Sequence, residues 1–217
     1  MSSFPVILSS PSGGGKTTIA RELLRRRRDV GYSVSCTTRA PRKDEVEGRD
    51  YYFLSRSRFD EERAAAAFAE SAEVHGELYG TLRREVDRLL AAGLHVVMDI
   101  DVQGARQFAE AYPDSVLVFV LPPDADVLLD RLRARGTEDT ESLARRLRSA
   151  AAELQAVKMY EYVVVNDNLE HAVSAVSDII DVEAARAVRM DDLAVRVGAV
   201  LAGIHSELAK ENINRGG

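Results

Sequence analysis

Apolar residues follow two rhythms along the chain. Short unbroken runs, Val6-Ile7-Leu8-Ser9, His95 to Ile100, Val116 to Leu121 and Tyr162 to Val165, have the length and β-branched content of strands buried on both faces. Between them, apolar positions recur at helical spacing. Ile19, Ala20, Leu23 and Leu24 mark one helix, closing in Arg25 to Arg28, and Leu82, Val86, Leu89 and Leu90 another. Thr81 stands as a candidate cap for the second helix and Gly93 closes it. Further helices are predicted over Val102 to Tyr112, over Ala125 to Arg135 and from Leu169. Strands alternating with helices predict an α/β fold, a parallel sheet covered by helices on both faces.

Two segments break the alternation. Ser33 to Thr38 reads as a strand, Arg39 to Asp50 as a charged loop with Pro41 and Gly48, and Tyr51 to Leu54 as a second strand. A helix is expected over Arg58 to Glu70 with four consecutive alanines, then an extended piece from Glu73 to Tyr79, ending at Gly80. Residues 33–81 therefore read as an inserted α+β subdomain. Thr140 to Ala156 is a polar, Arg-rich helix. Past residue 182 the tail from Met190 to Ala209 carries Leu193, Val197, Leu201, Ile204 and Leu208 along one face, as an amphipathic helix does.

Composition removes whole classes. One cysteine in 217 residues excludes a disulfide scaffold and a multi-cysteine zinc site. No apolar run approaches the roughly 18 residues of a membrane span. Met1 to Pro5 lacks the basic-then-apolar order of a secretory signal. A cytoplasmic protein is expected, with no membrane partner. A net charge of -6 argues against broad nucleic-acid binding. Of the 29 basic residues 25 are arginines, which suits either phosphate recognition or GC-rich coding. The Arg25 to Arg28 run suits a solvated helix C-terminus, where cations meet the helix dipole favourably.

The chemistry begins after the first strand, at Ser10-Pro11-Ser12-Gly13-Gly14-Gly15-Lys16-Thr17. This is a P-loop, G-x-x-x-x-G-K-[ST], with Ser10 in place of the first glycine. Glycines let backbone N–H groups converge on an anion, and the following helix adds its dipole. Lys16 would reach the β- and γ-phosphates and Thr17 would offer its hydroxyl to Mg²⁺. The loop implies a nucleoside triphosphate and leaves the second substrate open.

The segment Ser33 to Arg42, with Glu45, Gly48 and Tyr51-Tyr52-Phe53, closely resembles the guanylate kinase family. So do Asp99 to Gly104, Arg131 through Arg135-Gly136-Thr137, Arg146 and Val165-Asn166-Asp167. The resemblance runs from about residue 4 to 182. It implies a P-loop NTPase fold with a core (1–32, 82–130 and 157–182), a GMP-binding insertion (about 33–81) and a helical lid (about 131–156). The tail, 183–217, lies outside it. The activity implied is transfer of the γ-phosphoryl group of MgATP to GMP, giving GDP and ADP, in purine nucleotide metabolism.

By that resemblance Ser12, Gly13, Gly14, Gly15, Lys16, Thr17 and Thr18 hold ATP, with Arg131, Arg135 and Asn166. Ser35, Arg39, Arg42, Tyr51, Glu70, Tyr79, Gly80, Thr81 and Asp99 hold GMP. Lys16, Arg39, Arg135 and Arg146 serve catalysis. Thr17 binds Mg²⁺ directly and Asp101 lies on the metal side through water, with the nearer of Asp99 and Asp101 to the ion left open. The base chemistry agrees with this. Guanine offers N1–H and N2–H₂ donors beside an O6 acceptor, so a carboxylate at Glu70 accepts twice while hydroxyls at Ser35 and Thr81 donate. Adenine reverses that pattern. Two other readings share parts of the sequence. A ribose 1,5-bisphosphate phosphokinase has a similar core but no base to read. A guanylate kinase-like scaffold module uses the GMP cleft for phosphopeptides. The chain is expected to act as a monomer, or as a homodimer joined through its C-terminal helix.

Overall fold

The computed structural model describes residues 2–74, 76–134 and 140–215, without the side chains of 134, 140–142 and 210–215. A five-stranded parallel sheet runs β2-β7-β1-β8-β9, formed by β1 (Pro5–Ser9), β2 (Val30–Tyr32), β7 (His95–Asp99), β8 (Val116–Leu121) and β9 (Tyr162–Val165). The helices between strands are α1 (Lys16–Arg26), α3 (Arg83–Ala91), α4 (Val102–Ala111), α5 (Ala125–Ala134) and α6 (Thr140–Gln155), with α7 (Leu169–Ala184) after β9. Ile7, Met98, Leu117 and Phe119 of the sheet pack with Val86, Leu89, Ala105 and Phe108 of α3 and α4 in one fully buried cluster. The parallel α/β architecture is the one the apolar runs predict. β1 sits at the centre, so the loop after it opens at the C-terminal edge of the sheet, where ligands of such sheets gather.

The short edge strand β2 carries little sequence signal because Gly31 interrupts it. A Cβ there would stand 2.9 Å from Leu89 Cδ2, so the strand needs glycine to let α3 pack against it.

A second sheet, β4-β3-β6-β5, falls between β2 and α3. It comprises β3 (Cys36–Thr37), β4 (Tyr52–Phe53), β5 (Phe68–Val74) and β6 (Glu77–Leu82), with α2 (Arg56–Ala64) set against it through Phe59. Here the structure corrects the expected helix over Arg58 to Glu70. The helix stops at Ala64, although the alanines that follow favour helix. Ala66 turns left-handed at φ 53, its N–H bonds to the Arg63 carbonyl, and that of Ala67 to the Glu62 carbonyl. This is a Schellman ending with alanine where glycine is usual. It turns the chain into β5 and places Glu70 in a strand rather than at a helix end. Thr81 likewise lies in β6 and is not a helix cap; α3 starts from Leu82 without a side-chain cap.

The chain divides into two compact units, Ser3–Ile180 and a small one from Asp181 onward together with Ser2. In the small unit, Arg189 and Glu183 are both buried and paired at 3.2 Å. The last helix, α8 (Leu193–Arg215), exposes Val195, Val197, Val200, Leu201, Ile204 and Leu208. Among the described residues no helix is long and apolar enough to cross a membrane.

Candidate active site

The phosphate loop is shaped by contacts that its composition explains. Gly13 and Gly15 have φ 85 and 97, which glycine adopts freely. Gly14 lets the loop close: a Cβ there would stand 2.5 Å from Ser10 Cβ. The serine at the first glycine position is thus accommodated by the glycine facing it, and its hydroxyl donates to the Pro11 carbonyl at 3.0 Å. α1 begins at Lys16, whose ammonium donates to the Ile100 carbonyl beyond the end of β7 at 3.2 Å. Asn166, buried, donates from its amide to the Gly14 carbonyl at 2.8 Å, and Arg131 donates to the Asn166 carbonyl at 3.2 Å. Both residues expected near ATP thus brace the loop from behind β9 and from α5. Ser12 turns its N–H to the Glu153 carboxylate of α6 at 3.1 Å. Glu153 gave no sequence signal, since one carboxylate in a polar helix is ordinary. Burial raises its pKa, opposed first by the Ser12 hydrogen bond and then by the Lys16 charge.

The two aspartates after β7 part company. Asp99 accepts from the Thr17 hydroxyl through Oδ2 and from the Tyr32 hydroxyl through Oδ1. Asp101 caps α4, accepting from the Gly104 N–H at 2.7 Å. It faces Glu70, whose pKa its charge helps to raise. It is Asp99, the aspartate expected on the GMP side, that touches the phosphate-loop threonine, whereas Asp101, expected near the metal through water, bonds to the start of α4. Asp99 ends the strand next to β1, whereas Asp101 lies two residues on and turns back to start a helix.

On the second sheet, Glu70 and Thr81 are register partners across β5 and β6. The Thr81 hydroxyl donates to Glu70 Oε1 at 2.7 Å and lies 3.3 Å from the Ser35 hydroxyl. The three residues expected to read a base form one row. Glu70 is 5% exposed. Burial pushes its pKa up to about 7; the Thr81 hydrogen bond opposes this and the Asp101 charge adds to it. Gly104 gives this row room, since a Cβ there would stand 2.7 Å from Glu70 Oε2; a Cβ on Gly80 would lie on the other face of the sheet, 2.9 Å from Phe68.

Arg39, Tyr51 and Tyr79 also converge. Arg39 Nε donates to the Tyr79 hydroxyl at 3.3 Å, its guanidinium lies 5.5 Å from the centre of the Tyr51 ring, and the two tyrosine rings meet edge-on at 5.9 Å. Glu45 holds Arg39 through both oxygens, at 2.9 and 3.0 Å, and accepts the Arg42 N–H at 2.8 Å. The Arg42 side chain itself is exposed, as is Thr18 on α1. Arg146 lies half-buried on α6. Arg135 lies outside the described residues, as do the other residues of 135–139 in the expected lid. The Arg25 to Arg28 run does what a solvated helix end does: Arg25 and Arg26 pair with Glu22, Arg26 also with Glu170, and Arg27 with Asp29.

Known proteins resemble this chain over most of its length. The family model described as guanylate kinase matches residues 2–183. A guanylate kinase of Symbiobacterium thermophilum is 47% identical over 184 residues, covering 85% of this chain and 87% of the relative. One of Anaeromyxobacter dehalogenans is 50% identical over 195 residues, covering 88% and 86%. The crystal structure of guanylate kinase from Anaplasma phagocytophilum superposes with a TM-score of 0.72 at 34% identity, covering 87% of this chain and 89% of the other. The chain belongs to the guanylate kinase family.

Proposed function

We propose that this chain carries out its family's reaction, ATP to GMP phosphoryl transfer, with the phosphate loop and the Glu70 row as its two recognition sites. One observation carries the reading. A buried carboxylate with a hydroxyl row, Glu70, Thr81 and Ser35, faces Asp101, and the neighbouring Ile100 carbonyl holds the phosphate-loop lysine. On this reading a base-reading site and a phosphate site meet at the end of β7.

Guanine binds with N1–H and N2–H₂ donated to Glu70, beside Asp101, and with O6 facing Thr81 and Ser35. An adenine there would set its ring acceptor against the carboxylate, and a buried unmatched polar group costs about 1–3 kcal/mol. Arg39, Tyr51 and Tyr79 receive the GMP phosphate, with Arg42 joining them. A guanidinium fork and phenol hydroxyls suit a dianion. That phosphate, with a second pKa of about 6, is ionised at neutral pH, so attack needs no general base. Gly13 to Thr17 cradle the ATP phosphates through backbone N–H groups, Lys16 releases the Ile100 carbonyl to meet them, and Arg131, Arg135 and Arg146 add charge from the lid side. Positioning and charge neutralisation make up the catalysis.

The residues fit Mg²⁺. Thr17 gives its hydroxyl hydrogen to Asp99 and so keeps oxygen lone pairs for a cation. Among the described residues no three His, Cys, Asp or Glu side chains form a metal cage, which suits an ion held mostly by phosphates and water. Bound there, Mg²⁺ would neutralise charge on the β- and γ-phosphates. Thr17 would hold it directly, and Asp99, rather than Asp101, would orient Thr17. A cytoplasmic enzyme acting on the free nucleotide pool is the setting this reading implies.

A coupled ADP-release assay with GMP, AMP, UMP and dTMP as acceptors tests the reading. Turnover with GMP well above the others is expected, and its loss in Lys16→Ala at unchanged melting temperature. Equal turnover with AMP, or an active Lys16→Ala protein, would overturn it.

A further inference from the structure

Asp99 has both carboxylate oxygens engaged, and only one partner is a nucleotide-site residue. Thr17 holds Oδ2 from the phosphate loop; Tyr32 holds Oδ1 from the far side. Nothing in the transfer chemistry asks for Tyr32. It is the last residue of β2 and pairs with Val97 in parallel register. Tyr32, Val97 and Asp99 therefore share one face of the sheet, with Asp99 two residues further along. Two strand residues span about 6.6 Å, roughly the reach of a phenol from its backbone. The ring lies along β7 and delivers its hydroxyl to the carboxylate. Burial first, then the Asp99 charge, keeps the phenol protonated well above its ordinary range, so it is always the donor. A phenylalanine would fill the same space; the hydroxyl has Asp99 as its partner.

A carboxylate held at one oxygen swings easily about its last bond, because that torsion is broad and two-fold. Held at both, it cannot. We propose that Tyr32 is a positioning residue that locks the rotation of Asp99, keeping Oδ2 on the Thr17 hydroxyl and the Thr17 lone pairs turned toward a divalent cation. The proposal rests on the reading of Thr17 as the direct metal ligand.

The test compares Tyr32→Phe and Thr17→Val with the unmodified full chain. Mn²⁺ binding to each protein's complex with ADP is measured by electron paramagnetic resonance, alongside kcat, the KM for GMP and the melting temperature. Tyr32→Phe is expected to weaken Mn²⁺ binding about three- to tenfold, the size of one hydrogen bond. The KM for GMP should change less than about twofold, with the melting temperature nearly unmoved. Thr17→Val should lose most Mn²⁺ binding. Unchanged Mn²⁺ binding in both variants would overturn the metal role of Thr17 and the proposal with it. Loss in Thr17→Val with none in Tyr32→Phe would overturn the positioning role alone. A Tyr32→Phe protein that loses Mn²⁺ affinity, GMP affinity and melting temperature together would mark Tyr32 as structural only, and that too would overturn it.

Discussion

The Thr81 hydroxyl donates to Glu70 Oε1 at 2.7 Å inside the second sheet, and a backbone hydrogen bond from Thr81 also favours the charged carboxylate. Burial outweighs both bonds and, with the Asp101 charge adding to it, pushes the carboxyl pKa up to about 7. Guanine would bring two more donors and lower that value, so binding below pH 7 must expel a proton. GMP affinity should fall as the pH drops through about 7, approaching tenfold per unit, and level off above it. Near pH 7 calorimetry in buffers of different ionisation enthalpy should find roughly half a proton released. Glu70→Gln controls for protonation of the GMP phosphate and should lose this part of the slope. A wild-type slope no steeper than that of Glu70→Gln would count against base reading by Glu70.

Gly104 bounds the same pocket from α4. A methyl group there would approach Glu70 Oε2 to 2.7 Å, closer than a carbon and an oxygen pack. In a helix, alanine is otherwise preferred to glycine by about 1 kcal/mol. Gly104→Ala should therefore leave the melting temperature near or above wild type while raising the KM for GMP about tenfold, with the KM for ATP little changed. An unaltered KM for GMP would show that Glu70 does not depend on that space.

The parallel core was legible because strands inside a covered parallel sheet are mainly apolar, as β1, β7 and β8 are, and the edge strand β9 is a run of valines even though Val163 and Val165 are exposed. The parts that were not legible are those where neighbours overrule local preference. β2 contains a glycine that exists for Leu89 of α3. Ala64 to Ala67 favour helix by composition, yet the chain turns left-handed at Ala66 to carry Glu70 into a strand. Motif spacing placed Asp99 and Asp101 at the sheet edge but did not say which turns to Thr17. That depends on Asp101 capping α4, a backbone event. Tyr32 and Glu153 left no signal, because each acts through one hydrogen bond to a residue distant in sequence.

Arg39 is held by both oxygens of Glu45, and the half-buried setting of the pair limits competition from water. The Glu45 bond raises the guanidinium pKa, with the Tyr79 hydroxyl assisting, so Arg39 stays charged at any working pH. Its use to a phosphate lies in the fork. Lysine keeps the charge but offers a single point, losing either Glu45 or one phosphate oxygen. Arg39→Lys should raise the KM for GMP about tenfold, as loss of one charge-assisted hydrogen bond implies. Steady-state kinetics with GMP varied would check this, and a KM within twofold of wild type would remove Arg39 from phosphate binding.

Ala66 offers a prediction about stability alone. Its φ of 53 lies in the left-handed region, where a Cβ crowds the following carbonyl at a cost of about 1–2 kcal/mol. The Schellman bonds from Ala66 to Arg63 and from Ala67 to Glu62 hold it there. Glycine makes the same bonds without the crowding, but it also has more freedom to lose on folding, about 0.5–1 kcal/mol. The first effect exceeds the second, so Ala66→Gly should raise stability by a few tenths to about 1 kcal/mol, read as a small rise in Tm. The residue is exposed, so repacking does not confuse the result. GMP kinetics should stay as they are, since β5 keeps its register with β6 and Glu70 its place opposite Thr81. A fall in Tm would mean that Ala66 is not left-handed in solution and that α2 runs on toward Glu70.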